Sequence, residues 1–225
     1  MNKKVYISVS TDPVKEYSGV LQYACEMQGK ADMLHCDIMD GKFVKAKTYD
    51  ENLVRNINQN SLIMLDVHLM CSEPLSLIDD YLDAGANIIT VHYEAFKDKN
   101  DIVTAIKKIK KANALAGLSI SPNTPIKDIK MYIHAVDLVL VMSVEPGASG
   151  QSFIKESLDK IKELDLLRTG NKYSYKIEVD GGLNEYNVQK VLDAGADIIV
   201  SGSYVYKAKD RMLAIGKLRG ESDVK

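Results

Sequence analysis

Asp83-Ala84-Gly85-Ala86-Asn87-Ile88-Ile89 recurs as Asp193-Ala194-Gly195-Ala196-Asp197-Ile198-Ile199. Each copy reads as a helix end turning into a strand. Gly85 and Gly195 suit the left-handed position just past a helix C-terminus, and the alanines let helix and strand approach closely. Convergent helix-stop chemistry would give the same short repeat, so its weight depends on what surrounds it. Around both copies, short apolar runs rich in β-branched residues alternate with longer stretches of helical period, the pattern of βαβ units on a parallel sheet. The runs are Val5 to Val9, Met33 to Asp37, Leu62 to Val67, Ile88 to His92, Leu115 to Ile120, Leu138 to Met142, Tyr175 to Val179 and Ile198 to Val200. The repeat opens the fourth and the eighth, as pseudo-symmetric halves of a barrel would. Eight runs, each followed by a helix, predict an α/β fold of the closed (β/α)8 TIM-barrel type rather than an open doubly wound sheet.

A chain of 225 residues has the size of one such barrel, and no Pro-, Gly- or Ser-rich linker divides it, so one domain over residues 1–225 is expected. Only the tail after Leu218 reads as weakly structured. The composition, 46% hydrophobic and 27% charged, is that of a soluble globular protein. A net charge of -2, with both signs interspersed, argues against a nucleic-acid or membrane-surface partner and for a small molecule. Three cysteines, Cys25, Cys36 and Cys71, cannot all pair, and their spacing fits no zinc knuckle. They read as reduced thiols of a cytoplasmic protein. The start, Met1-Asn2-Lys3-Lys4-Val5-Tyr6-Ile7-Ser8, lacks an apolar block long enough for a signal peptide, and no run approaches the ~20 residues of a spanning helix.

In a parallel barrel, side chains at the C-terminal strand ends share one mouth. Polar groups close three of the runs: His35-Cys36-Asp37, Asp66-Val67-His68 and Glu178-Val179-Asp180. Residues two apart on a strand share a face, so His35 and Asp37 reach toward one point. A lone strand-end histidine is more often structural than a ligand. Three such ends together resist a packing explanation, because unpaired buried carboxylates are costly. Two imidazoles and two carboxylates, His35, Asp37, His68 and Asp180, form a mixed N/O set suited to Zn²⁺, Mn²⁺, Fe²⁺ or Co²⁺ with positions open for substrate oxygens. Glycines follow the last three runs: Gly147-Ala148-Ser149-Gly150, Gly181-Gly182, and Gly202-Ser203. Each alone is an ordinary turn; in sequence they fit the phosphate cradle that late barrel strands commonly carry.

These segments resemble the ribulose-phosphate 3-epimerase family along nearly the whole chain. Leu34 to Val44 is similar to its H-x-D-x-M-D-G-x-F-V segment, and Asp66-Val67-His68-Leu69-Met70 to its D-x-H-L-M. Val141 to Gln151 is similar to V-M-x-V-x-P-G-x-x-G-Q, Ile177 to Asn184 to I-E-V-D-G-G-x-N, and Ser201-Gly202-Ser203 to the closing G-S. The resemblance implies a ribulose-phosphate-binding barrel and an isomerase that interconverts D-ribulose 5-phosphate and D-xylulose 5-phosphate. It implies one divalent metal ion, Zn²⁺ first among the choices, on His35, Asp37, His68 and Asp180, with Asp37 and Asp180 also the catalytic acid/base pair. It implies that Met39, Met70 and Met142 wall the site, where sequence alone reads flexible core fillers. Ser8 and His68 are expected to meet substrate, with Ser10 competing for the role of Ser8. Homo-oligomeric assembly is implied by analogy.

The chain also departs from the pattern. Lys45-Ala46 stands where the family has P-N, and Ala148 where an aromatic is customary. Both changes fall in loops over the substrate, which keeps allulose-6-phosphate 3-epimerase open as an alternative. A hexulose-phosphate synthase or lyase would favour a strand-end lysine, and none is seen. A non-catalytic sugar-phosphate sensor is disfavoured by four intact ligand positions. Val91-His92-Tyr93-Glu94-Ala95 matches a further family stretch, to which no catalytic role is given, and His134 reads as a solvated helix residue.

Overall fold

The computed structural model describes residues 3–221. Met1 and Asn2, and most of the tail after Leu218, lie outside them. Eight parallel strands close in sequence order, β1-β2-β3-β4-β5-β6-β7-β8, into one barrel. They are β1 (Tyr6–Ser10), β2 (Met33–Met39), β3 (Met64–Met70), β4 (Ile88–His92), β5 (Leu115–Ile120), β6 (Leu138–Met142), β7 (Lys176–Asp180) and β8 (Ile198–Ser201). Between and after them run α1 (Tyr17–Met27), α2 (Glu51–Asn60), α3 (Pro74–Asp83), α4 (Asn100–Lys111), α5 (Ile126–Ile129), α6 (Ser157–Asn171), α7 (Val188–Asp193), α8 (Ser203–Tyr206) and α9 (Arg211–Leu218). The expected TIM barrel is present.

Strand alternation sorts the core into two parts. Outward residues such as Val139, Val141, Ile177 and Val179 join the helices in one large apolar layer. Inward residues Met33, Ile88, Leu138, Leu140 and Ile198 fill the barrel below the mouth. Above this plug the interior turns polar: Ser8, His35, Asp66, Thr90 and Glu178 are all fully buried. The strand register sets His35 beside Asp66, and Asp37 beside His68.

The repeat that opens the sequence has a structural cause. Gly85 and Gly195 take φ of +100° and +118°, and a Cβ there would fall 2.1 Å from Asn58 and 2.6 Å from Asp165. Asn87 then clamps the preceding strand: its N–H donates to Leu65 O at 3.0 Å while its Oδ1 accepts from Leu65 N at 2.7 Å. Asp197 does the same to Ile177, at 2.8 Å in each direction. Asp32 clamps Ile7 (3.0 and 2.9 Å) and Asp137 clamps Ala116 (2.9 and 3.0 Å). Every even strand is thus entered through an Asp or Asn that locks it to the odd strand before it.

Candidate active site

The mouth gathers the four expected ligands. His35 Nε2 lies 3.3 Å from His68 Nδ1 and 3.3 Å from Asp37 Oδ1, and His68 Nδ1 lies 3.0 Å from Asp37 Oδ1. Asp180 Oδ2 stands 3.9 Å from His35 Nε2, and one atom from each of the four residues falls within 4.8 Å of all the others. Nitrogen and oxygen ligands about 2.0–2.1 Å from a tetrahedral ion sit roughly 3.3 Å apart, so this spacing fits a shared cation.

The electrostatics agree with that fit. Burial disfavours a charged His35, yet the carboxylates of Asp66 and Asp37 beside it raise its pKa well above the ordinary imidazole value. The cluster therefore draws positive charge. Burial alone would raise Asp37, but His35 and His68 hold it well below the carboxylate range. Asp180 behaves oppositely: burial, then the neighbouring Asp37 charge, push it up to about 7. His68 is lowered to about 4, chiefly by burial, and so stays neutral and able to give an electron pair.

Beside the cluster lies a cavity of about 260 Å³. Asp37 and Asp180 line it, as do Met39, Met70 and Met142, so the methionines are both core and wall. Gly147, Ala148, Ser149, Gly150, Gly181, Gly182, Gly202 and Ser203 line its other side. Gly182, at φ +67°, leaves no room for a side chain, since a Cβ would lie 2.6 Å from Phe153 N. The Ser143 hydroxyl anchors the same turn by donating to the carbonyls of Asp180 and Gly181 at 2.9 and 2.7 Å. Val44 packs on Gly147, joining the two loops that depart from the family pattern.

Two residues expected to meet substrate lie away from the cavity. Ser8 is fully buried, and its hydroxyl donates to Asp66 Oδ2 at 2.9 Å below the mouth. Ser10 is the serine that lines the cavity, and it donates to Asp37 Oδ2 at 3.0 Å. Residues two apart share the inner face, so only depth in the barrel separates them, and a one-residue shift in the strand end conceals it. His68 is likewise fully buried and is not among the residues that line the cavity. His134 is exposed but sits in a turn rather than a helix. The sequence reading gave no role to Asp12 and Asn184, which line the cavity, nor to Asp66, which bonds His35, His92, which meets His68, and Glu94, which meets His92. A cue existed for His92: like His68, it closes an apolar run, with a carboxylate two residues on.

A closed parallel barrel with a candidate metal cluster and a glycine-lined cavity at its mouth defines an α/β-barrel enzyme with the features of the phosphate-binding class. Sequence comparison then fixes the family. Residues 10–206 match the family model described as the ribulose-phosphate 3 epimerase family, and the chain belongs to that family, whose members are isomerases. It is 40% identical over 183 residues to the ribulose-phosphate 3-epimerase of Treponema pallidum, covering 81% of this chain and 83% of that protein. It is also 40% identical over 194 residues to the Bacillus subtilis ribulose-phosphate 3-epimerase, covering 86% and 88%. The chloroplastic ribulose-5-phosphate-3-epimerase of Arabidopsis thaliana is 40% identical over 85% of this chain and 68% of its own length. Among solved structures, 3-keto-L-gulonate-6-phosphate decarboxylase from Vibrio cholerae superposes with a TM-score of 0.74 over 97% of both chains at 15% identity, a likeness of fold alone. Among the described residues, no helix is long and apolar enough to cross a membrane.

Proposed function

We propose that this chain interconverts D-ribulose 5-phosphate and D-xylulose 5-phosphate, inverting the third carbon by two-base proton transfer. The observation that carries this reading is the pairing of Asp37 and Asp180 at one cavity, from β2 and β7, with oxygen atoms within 4.8 Å and unequal proton affinities. The C–H bond to be broken is poorly acidic, although it lies beside a ketone. One carboxylate removes that proton, the substrate flattens to an enediolate, and the other carboxylate delivers a proton to the opposite face. Asp37 and Asp180 approach the cavity from different strands, so one can take the proton as base while the other delivers one as acid; the two exchange roles with direction.

His35, Asp37, His68 and Asp180 would hold the divalent cation, Zn²⁺ first and Mn²⁺, Fe²⁺ or Co²⁺ next, on the chemistry of two nitrogen and two oxygen donors. When bound, it supplies Lewis-acid stabilisation of the developing negative charge, worth several kcal/mol. Ser10 orients Asp37. Backbone N–H groups of the glycine turns hold the phosphate end, which fixes the reacting carbon between the two carboxylates. The remaining reading is of a single barrel domain in the cytoplasm, homo-oligomeric, acting on a small molecule. Three free thiols, two of them buried, support the compartment, and sedimentation tests the assembly.

Asp37→Asn and Asp180→Asn proteins should fold and lose solvent deuterium incorporation at the third carbon. Full exchange in both would reject the two-base assignment. A coupled assay on ribulose 5-phosphate and allulose 6-phosphate should favour the pentulose; preference for the hexulose would trace to the altered loops at Lys45-Ala46 and Ala148.

A further inference from the structure

The geometry points to Val44 as a positioning residue: the loop between β2 and α2 crosses the barrel mouth as a strap, and Val44 seats the glycine loop after β6 that lines the cavity. The inference rests on the proposed phosphate role of that glycine loop and extends it to a residue that does not line the cavity. β2 and β6 stand opposite each other in the ring, with three strands between them on either side. A contact between their loops therefore spans the whole mouth. A Cβ on Gly147 would fall 2.8 Å from Val44 Cβ and 3.1 and 3.3 Å from its two methyl groups, so the valine already holds the place of a side chain at 147. The φ of +106° at Gly147 is a second reason for glycine there.

The strap is tied at both ends. Asp40 Oδ1 accepts from the N–H groups of Lys42 and Phe43 at 2.8 Å each, while its Oδ2 accepts from Ser72 N–H at 2.7 Å and the Ser72 hydroxyl at 2.8 Å, in the loop after β3. Thr48 closes the far end, where its hydroxyl donates to Asp37 O and accepts from Met39 N–H, both at 2.8 Å. Between these ties Phe43 packs on the His92 ring, 4.9 Å between centres, and covers the end of β4. The strap thus divides the mouth. Among the described residues that line the cavity, none comes from β4, from β5 or from the loops after them. The glycine loop on the other side is folded mainly on itself: Gln151 Nε2 donates to the carbonyls of Glu145 and Ala148 at 2.7 and 2.8 Å. Val44 supports that loop from outside, at Gly147.

Val44→Ala tests the seat without changing any residue that lines the cavity. Backbone ¹⁵N relaxation of the full chain should give Gly147 an order parameter near the ~0.85 of rigid backbone in the wild-type protein, falling below about 0.6 in V44A. The variant loses two methyl groups of apolar contact, so KM for ribulose 5-phosphate should rise about tenfold at nearly unchanged kcat, because the seat acts on how substrate is held and not on proton transfer. Val44→Thr keeps both branches at this half-buried position and should retain wild-type order and KM. A wild-type Gly147 order parameter already below about 0.6 would overturn the inference without any variant. So would V44A with order or KM unchanged, or V44T as loose as V44A. A wild-type protein inactive on ribulose 5-phosphate would instead overturn the proposed reaction, and the Gly147 order parameters would still decide the seat.

Discussion

Nδ1 of His35 lies 2.6 Å from Oδ2 of Asp66, in a buried layer beneath the mouth where neither group reaches water. Asp66 thus turns the ring so that Nε2 faces Asp37 and Asp180. Ser8 donates to the same Asp66 oxygen, and beside it burial and the Asp66 charge raise Glu178 well above the carboxylate range. Burial beside Asp66 thus favours the neutral form of Glu178 and limits the negative charge of this layer. Asp66→Asn exchanges an obligate acceptor for an amide that can face either way. Cation affinity should drop about 10- to 100-fold by chelator competition while circular dichroism is unchanged. Wild-type affinity in this variant would show that Asp66 does not orient the ring.

The two first-strand serines separate by assay. Ser10→Ala removes a bond to the ionised Asp37, of a kind worth about 1.5–3 kcal/mol, and should lower kcat/KM by one to two orders of magnitude. Ser8→Ala lies below the cavity, removes a bond to the buried Asp66 carboxylate and should cost about 1.5–3 kcal/mol in denaturant unfolding, with kcat/KM within a few-fold of wild type. The reverse pattern would return Ser8 to the substrate.

Asp137 offers a test of the strand clamps away from the mouth. Asp137→Ala loses the bond from Ala116 N and should destabilise the fold by about 1–2 kcal/mol in urea, leaving kcat unchanged. Asp137→Asn retains an oxygen acceptor, the arrangement that Asn87 already uses toward Leu65, and should recover most of the loss. Equal stability of the alanine variant would mean that the clamp contributes nothing.

Those clamps bear on what a sequence can disclose. The barrel was legible because burial on both strand faces leaves near-continuous apolar runs, and β4, β5 and β6 have the expected limits. The run from Leu62 misled at its start. Leu62 is exposed and its N–H donates to Gln28 Oε1, while pairing with β2 carries the strand on through His68 to Met70. Apolar composition marks a run, but register against the neighbour sets its ends. Only two of the four clamps stood out as a repeat, because Ala31-Asp32-Met33 and Val136-Asp137-Leu138 share the chemistry without the flanking Gly-Ala. The four candidate ligands were legible because each is polar among apolar neighbours. Their supports were not, since His92 and Glu94 acquire meaning only once β3 and β4 pair and the loop at Ser121 closes over them.

Cation binding should be coupled to proton release in a way that distinguishes the ligands. Asp180, pushed up to about 7 by burial and by Asp37, is largely protonated at pH 6 and largely ionised at pH 8. A cation needs the ionised form, so below pH 7 it must displace that proton, and affinity should fall up to tenfold per pH unit from this residue alone. His35, raised above its ordinary value by Asp66 and Asp37 against burial, favours its charged form and so also opposes the ion. His68, at about 4, is already neutral and surrenders none above pH 5. Calorimetry in buffers of different ionisation heat should therefore read a proton release per ion that is larger near pH 6 than near pH 8, by up to about one proton from Asp180. Asp180→Asn should remove that rise. A release that does not change between pH 6 and pH 8 in the wild-type protein would mean that Asp180 is not among the groups that hold the ion.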